Sequence, residues 1–176
     1  MQLVEQGRVD LDVPVQTYLP GYPTKKEGNI TVRRLLQHTA GVGGYKNNKE
    51  QENTTHYASL ADAADLFQDR DLVATPGEAF HYSTYGYVVL GLVIEQVSGL
   101  PYGEYLRTHI WDPAGMAHTG IEQSGQALPS GSVLYHKNAK DRIAPAARTD
   151  LSDRVPGGGV YSTVGDLLRF GDAVLD

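Results

Sequence analysis

The sequence predicts a mostly α-helical fold carrying one small β-hairpin, and three observations predict it. Apolar residues recur at helical spacing behind hydroxyl residues suited to capping, at Thr31, Ser59, Ser83 and Thr163. Residues 87–94 are apolar nearly all round, as a helix at the centre of a core must be. A strand-like pattern broken by a polar turn occurs only over residues 132–147. Counting elements gives five or six helices and one hairpin, with no repeat of solenoid period.

Taken in order, residues 1–7 read as the last turns of a helix closed by Gly7, and residues 8–20 as a connector set by Pro14 and Pro20. Thr31 caps a short helix to Gln37, with Val32, Leu35 and Leu36 on one face. A glycine-rich loop follows over residues 38–44, then a polar excursion over 46–55. Ser59 and Asp62 form a capping-box pattern opening a helix to about Gln68. The turn residues 74–78 deliver the chain to Tyr82, after which Ser83 or Thr84 caps the central helix through Val97. Pro101 suits the first turn of the next helix, which runs to Ile110 or Trp111. Gly157-Gly158-Gly159 leads into Val160-Tyr161, and Thr163 with Asp166 caps a final helix. Both ends of the sequence read as interrupted elements, so residues 1–176 are expected to form a single partial domain.

The 176 residues are 40% hydrophobic and 20% charged, the composition of a globular chain. A net charge of −6 argues against nucleic acid, which wants a basic face. Cysteine is absent, which removes disulfide scaffolds and thiol chemistry, and the six histidines lack metal-ligand spacing. No metal or other cofactor is therefore expected. No apolar run approaches the roughly 18 residues of a membrane span.

Tyr82-Ser83-Thr84 opens the central helix. In isolation Tyr82 is a half-buried aromatic with its hydroxyl satisfied by backbone. A phenol beside cations and helix-end N–H groups is instead a proton carrier at neutral pH. Its company favours the second reading. Leu35-Leu36-Gln37-His38-Thr39-Ala40-Gly41 is similar to the Leu-Leu-x-His-Thr-Ser-Gly signature of the serine β-lactamase-related family, which spans class C β-lactamases, D-Ala-D-Ala peptidases and carboxylesterases. Thr75-Pro76-Gly77, residues 87–95, Pro113-Ala114-Gly115-Met116 and residues 157–170 resemble further family segments in the expected order, so the resemblance covers essentially the whole chain. Tyr-Ser-Thr in place of Tyr-x-Asn, and the Ser-Thr-Val-Gly-Asp-Leu-Leu run, resemble the mitochondrial β-lactamase-like proteins most closely.

The resemblance implies a serine that attacks a carbonyl carbon, an acyl-enzyme, and a lysine and a tyrosine sharing the proton transfers. It implies the helical domain of a β-lactamase/transpeptidase-like α+β fold, acting on a small acyl substrate (β-lactam, peptide or ester). Tyr82 carries over as catalytic, and Thr84 as substrate-binding in the place of the usual asparagine. None of the eight serines has lysine three residues later, so the Ser-x-x-Lys nucleophile is not in this sequence. Nor is the Lys-Thr-Gly or His-x-Gly element that closes such sites. His118-Thr119-Gly120 follows the Gly-Met turn where relatives carry a structural segment, and His38 reads as a loop pin. Ser83 and Ser162 read as residues at helix starts rather than nucleophiles. The chain is thus expected to be inactive alone. The alternative is a noncatalytic scaffold that self-associates through an uncovered apolar face.

Overall fold

A computed structural model describes residues 1–123, 131–138, 141–146 and 148–175. Residues 139 and 140 of the expected hairpin turn, and Ala147 at its end, lie outside the described residues. Helix α1 (Gln2–Glu5) closes as expected, with Gly7 at φ +67°. Its last carbonyls are taken by Gly7 N–H on Val4 and Arg8 N–H on Leu3, the paired bonds that a left-handed residue after a helix allows. The connector contains a 3₁₀ turn (Val15–Thr17), and Pro14 bridges to Thr31.

Four caps sit where the sequence puts them, among them Thr163, which accepts from Asp166 N–H at the start of the final helix. Thr31 accepts from Arg34 N–H to open α2 (Val32–Leu36), and Ser59 accepts from Asp62 N–H to open α4 (Leu60–Ala64). Ser83 accepts from Gly86 N–H to open α5 (Thr84–Ser98), which Gly99 closes in a left-handed conformation. Two expectations need correction. Leu36 points away from the core and is 40% exposed. The helix after Ser59 ends at Ala64, because Leu66 and Phe67 bond three residues back and tighten the chain into turns. Between α2 and α4 the polar excursion holds an unexpected helical turn, α3 (Asn48–Gln51), capped by Asn47.

Helix α5 is the axis of the molecule. Tyr85, Val88, Val89 and Val93 are essentially buried, and α2, α4, α6 (Tyr102–Leu106) and α7 (Val155–Gly158) pack around it. A π-helical stretch (Arg107–Trp111) extends α6 as far as the sequence indicated. The triple glycine belongs partly to α7, a helical turn with Pro156 near its start, and its role is close approach. A Cβ at Gly157 would lie 2.6 Å from Thr84 Cγ2, and one at Gly91 would lie 2.5 Å from Pro156 Cγ.

Strands β2 (Tyr135–Lys137) and β3 (Ile143–Pro145) pair antiparallel as the expected hairpin, with His136 opposite Ala144. A second antiparallel pair was not legible in the sequence: β1 (Gly120–Ile121) against β4 (Val160–Tyr161). Helix α8 (Val164–Leu175) closes the order. Among the described residues, then, eight α-helices accompany two two-stranded sheets. No helix among them is long and apolar enough to cross a membrane.

Candidate active site

The site is assembled by two loops that grip one another. Gly41 has φ +72°, and a Cβ there would lie 2.1 Å from the Ala74 carbonyl oxygen, so only glycine fits. Val73 N–H donates to Gly41 O at 2.8 Å, and Gly77 N–H donates to Thr39 O at 2.7 Å. The His-Thr-Ala-Gly and Thr-Pro-Gly motifs are therefore two sides of one seam.

His38 ends α2 with the same paired bonds that close α1: Thr39 N–H on Arg34 O and His38 N–H on Leu35 O. The left-handed position this requires usually falls to glycine or asparagine, yet His38 holds it at φ 56°. The side chain accounts for the choice. Its Nδ1 accepts from Ser83 N–H at 3.2 Å, and its backbone oxygen accepts from His81 N–H at 2.8 Å. Its ring lies on Tyr82 at 4.6 Å between centroids and stacks on Tyr87 at 5.0 Å. His38 pins the segment entering α5, as a structural histidine should.

Tyr82, one residue before the cap of α5, is 65% exposed, which removes the reading as a half-buried structural aromatic. Thr84, in the first turn, is half-buried, its methyl against Gly157. Ser83 is 3% exposed, caps α5 and donates to Gly43 O at 3.0 Å, so its oxygen is committed to structure. Ser162 shares a 2.7 Å hydrogen bond with Thr119. His118 N–H and the Thr119 hydroxyl both donate to the buried carboxylate of Asp166, at 2.7 and 2.9 Å, and so tie that segment to α8.

Behind the tyrosines stands a polar network that the sequence reading missed. Glu50, on α3, accepts from Arg70, from the Tyr85 hydroxyl at 3.0 Å and from Lys46 N–H at 2.6 Å. Burial alone would raise its pKa; those hydrogen bonds win and hold the carboxyl below the ordinary range. Asp153, fully buried, accepts two bonds from Arg154, at 2.6 and 3.0 Å. The Arg154 guanidinium lies 4.5 Å over the Tyr45 ring, which also meets Tyr85 edge-on at 5.1 Å. One local signal was available: Asn47 followed by Glu50 is a cap with an acid three residues on. Among the described residues no His, Asp or Glu cluster could hold a metal ion.

The β-lactamase family model matches residues 1–176. The putative penicillin-binding protein PbpX of Bacillus subtilis (strain 168) is 32% identical over 179 residues, covering 100% of this chain and 42% of its own. The human serine beta-lactamase-like protein LACTB, mitochondrial, is 28% identical, covering 99% of this chain and 44% of its own. Among solved structures, a D-stereospecific amidohydrolase from Streptomyces sp. aligns with TM-score 0.83 at 28% identity, over 99% of this chain and 56% of that one. FmtA from Staphylococcus aureus aligns with TM-score 0.83 at 27% identity, over 99% of this chain and 47% of that one. The chain thus spans about half the length of the relatives it matches. Matched end to end by the family model, and sharing the β-lactamase/transpeptidase-like fold of these structures, the chain belongs to the β-lactamase family of penicillin-binding-protein-like serine hydrolases.

Proposed function

We propose that residues 1–176 form a single partial domain, the helical part of a serine hydrolase that transfers an acyl group from a β-lactam, peptide or ester. The exposed phenol of Tyr82, fixed against His38 at the mouth of α5, carries this reading. A group that shuttles protons must reach substrate while its own position stays rigid, and Tyr82 does both. It would take the proton from an attacking serine and pass it to the leaving group. Thr84, the first residue of the same helix, would contact the substrate in place of the usual asparagine. The nucleophile would come from a Ser-x-x-Lys segment outside this sequence, so the 176 residues alone have no covalent route to an acyl-enzyme.

Intact-mass spectrometry tests this directly. Exposed to a penicillin and to an activated ester, this chain should gain no adduct, whereas the full-length gene product should gain one acyl group on an added serine. A stoichiometric adduct on Ser83 or Ser162 of this chain would overturn the proposal. In the full-length protein, Tyr82→Phe should slow acyl transfer by about 10²–10⁴-fold with an unchanged melting temperature; unaltered turnover would remove Tyr82 from the mechanism.

A second reading is favoured by one observation. An apolar groove of about 790 Å³ runs between α1, α5, α6 and α8, and Leu167, Leu168, Val174 and Leu175 of α8 are exposed beside it. A noncatalytic domain that self-associates through this face would use it as its contact surface. The same mass experiment separates the two, because a scaffold gives no adduct in either form.

A further inference from the structure

His38 carries more than a loop pin needs. Among the described residues only His38 and Asp141 hold a positive φ without being glycine. Asparagine or glycine would close α2 with less strain, so the reason for histidine lies in its ring. Its contacts fall on consecutive residues. The His38 carbonyl accepts from His81 N–H at 2.8 Å, and Nδ1 accepts from Ser83 N–H at 3.2 Å. On the residue between those two anchors, the imidazole lies directly against the Tyr82 ring, with 4.6 Å between centroids. The imidazole is itself supported. Tyr87 stacks on it at 5.0 Å with 27° between planes, and Phe80 meets it edge-on at 5.7 Å. The Tyr87 hydroxyl donates to Leu36 O at 3.4 Å, which ties that support back to α2.

We propose that His38 is a positioning residue for proton transfer by Tyr82, and that it works as a neutral imidazole with its proton on Nε2. The inference rests on the hydrolase reading above. A backbone carbonyl at position 38 holds residue 81 whatever the side chain, and an asparagine amide oxygen could stand in for Nδ1. Neither reaches the phenol. Tyr82 is 65% exposed, so little packing limits its rotamers, and the His38 ring is the aromatic contact that does so. A mobile phenol meets the reacting oxygen in only a fraction of its rotamers, whereas a held one keeps the geometry that proton transfer needs. The hydrogen bond also sets the protonation state. Nδ1 accepts from an N–H only when it carries no proton, so the hydrogen of the neutral ring sits on Nε2.

The test uses the full-length gene product with p-nitrophenyl acetate. His38→Asn keeps a residue suited to the left-handed position and an acceptor for Ser83 N–H, and removes only the ring. It should lower kcat about 10–100-fold, leave KM within about threefold and hold the melting temperature within a few degrees. A histidine that merely pins the loop would be replaced by asparagine with no loss of kcat. Combined with Tyr82→Phe, the substitution should cost nothing further, because a ring that acts through the phenol then has nothing to position. Wild-type kcat in His38→Asn, a loss confined to KM, or additive losses in the double variant would each overturn the proposal. A second readout needs no variant and no turnover. In this 176-residue chain labelled with ¹⁵N-histidine, at alkaline pH, long-range ¹H–¹⁵N spectra should show His38 with its proton on Nε2 and a bare Nδ1. A proton on Nδ1 sinks the inference, since that nitrogen could not then hold Ser83. Wild-type enzyme without turnover would instead sink the hydrolase reading and the catalytic role of His38 with it, while the tautomer still decides whether the imidazole holds Ser83.

Discussion

Helices α5 and α8 both follow a hydroxyl cap and both carry apolar side chains, yet they are held by different physics. Seven residues of α5 are buried, among them Tyr85, Val88 and Val89, and glycines on α5 and α7 let the two backbones approach closely. On α8 the buried residue is a carboxylate, Asp166, while Leu167, Leu168 and Val174 are exposed. The first helix is fixed by packing, the second by a polar clasp of Thr119, His118 N–H and Arg169 on Asp166. Tyr82 projects from the start of the packed helix. If the proposed hydrolase reading holds, the rigid axis would supply precision at the cleft and the exposed apolar face a surface to receive other chain.

The contrast breaks first at α5. Tyr85 is fully buried, stacks on Phe67 at 4.4 Å and donates to Glu50. Tyr85→Ala should cost about 3–5 kcal/mol, since it opens a cavity and takes a donor from the half-buried Glu50 carboxylate. Urea unfolding of this chain would show it, and a loss below 1 kcal/mol would mean that the core closes without the ring. Gly157→Val comes next, at about 1–3 kcal/mol, because its Cβ would overlap Thr84 and force α7 off α5. Val at Gly158, where no atom lies within 4 Å of a Cβ, is the control.

The difference between the two helices also marks how far the sequence could be read. Caps were legible because each is a bond between residues three apart, as at Thr31, Ser59 and Ser83. Tyr82 and its loop neighbours were legible because their motifs recur in a known order. The fates of the apolar faces were not, since periodicity shows that a face is apolar and is silent on what covers it. The role of Glu50 was invisible because its partners, Arg70 and Tyr85, come from distant segments. Tyr45 was missed for the same reason: Arg154, which fixes it, arrives from the far end of the chain. The β1–β4 pair, two residues in each strand, is too short to carry a pattern.

The clasp on α8 can be opened by acid. Burial alone would raise the Asp166 pKa, but bonds from His118 N–H and Thr119, with the charges of His118 and Arg169, hold it below the ordinary carboxylate range. A depressed folded-state pKa contributes stability above the unfolded value that is lost as pH falls through the folded one. Lowering the pH through and below the ordinary carboxylate range should therefore release α8 in the wild type. Asp166→Asn should remove most of that dependence. Native-state hydrogen exchange of α8 amides at a series of pH values measures it, and equal pH profiles for wild type and variant would show that another group governs the helix.

The smallest expected change sharpens the comparison most. Leu168 is 67% exposed, so Leu168→Lys should alter stability by no more than about 0.5 kcal/mol. If the α8 face is where this chain meets other polypeptide, the charge should nevertheless abolish concentration-dependent association of the 176 residues, read by sedimentation velocity. It should also weaken the full-length protein, in which the same leucine would be buried against the remainder of the fold. Equal association by wild type and variant would place the contact elsewhere. A large loss of stability in this chain alone would show that Leu168 already packs against its own domain, and the contrast between α5 and α8 would then fail at its simpler end.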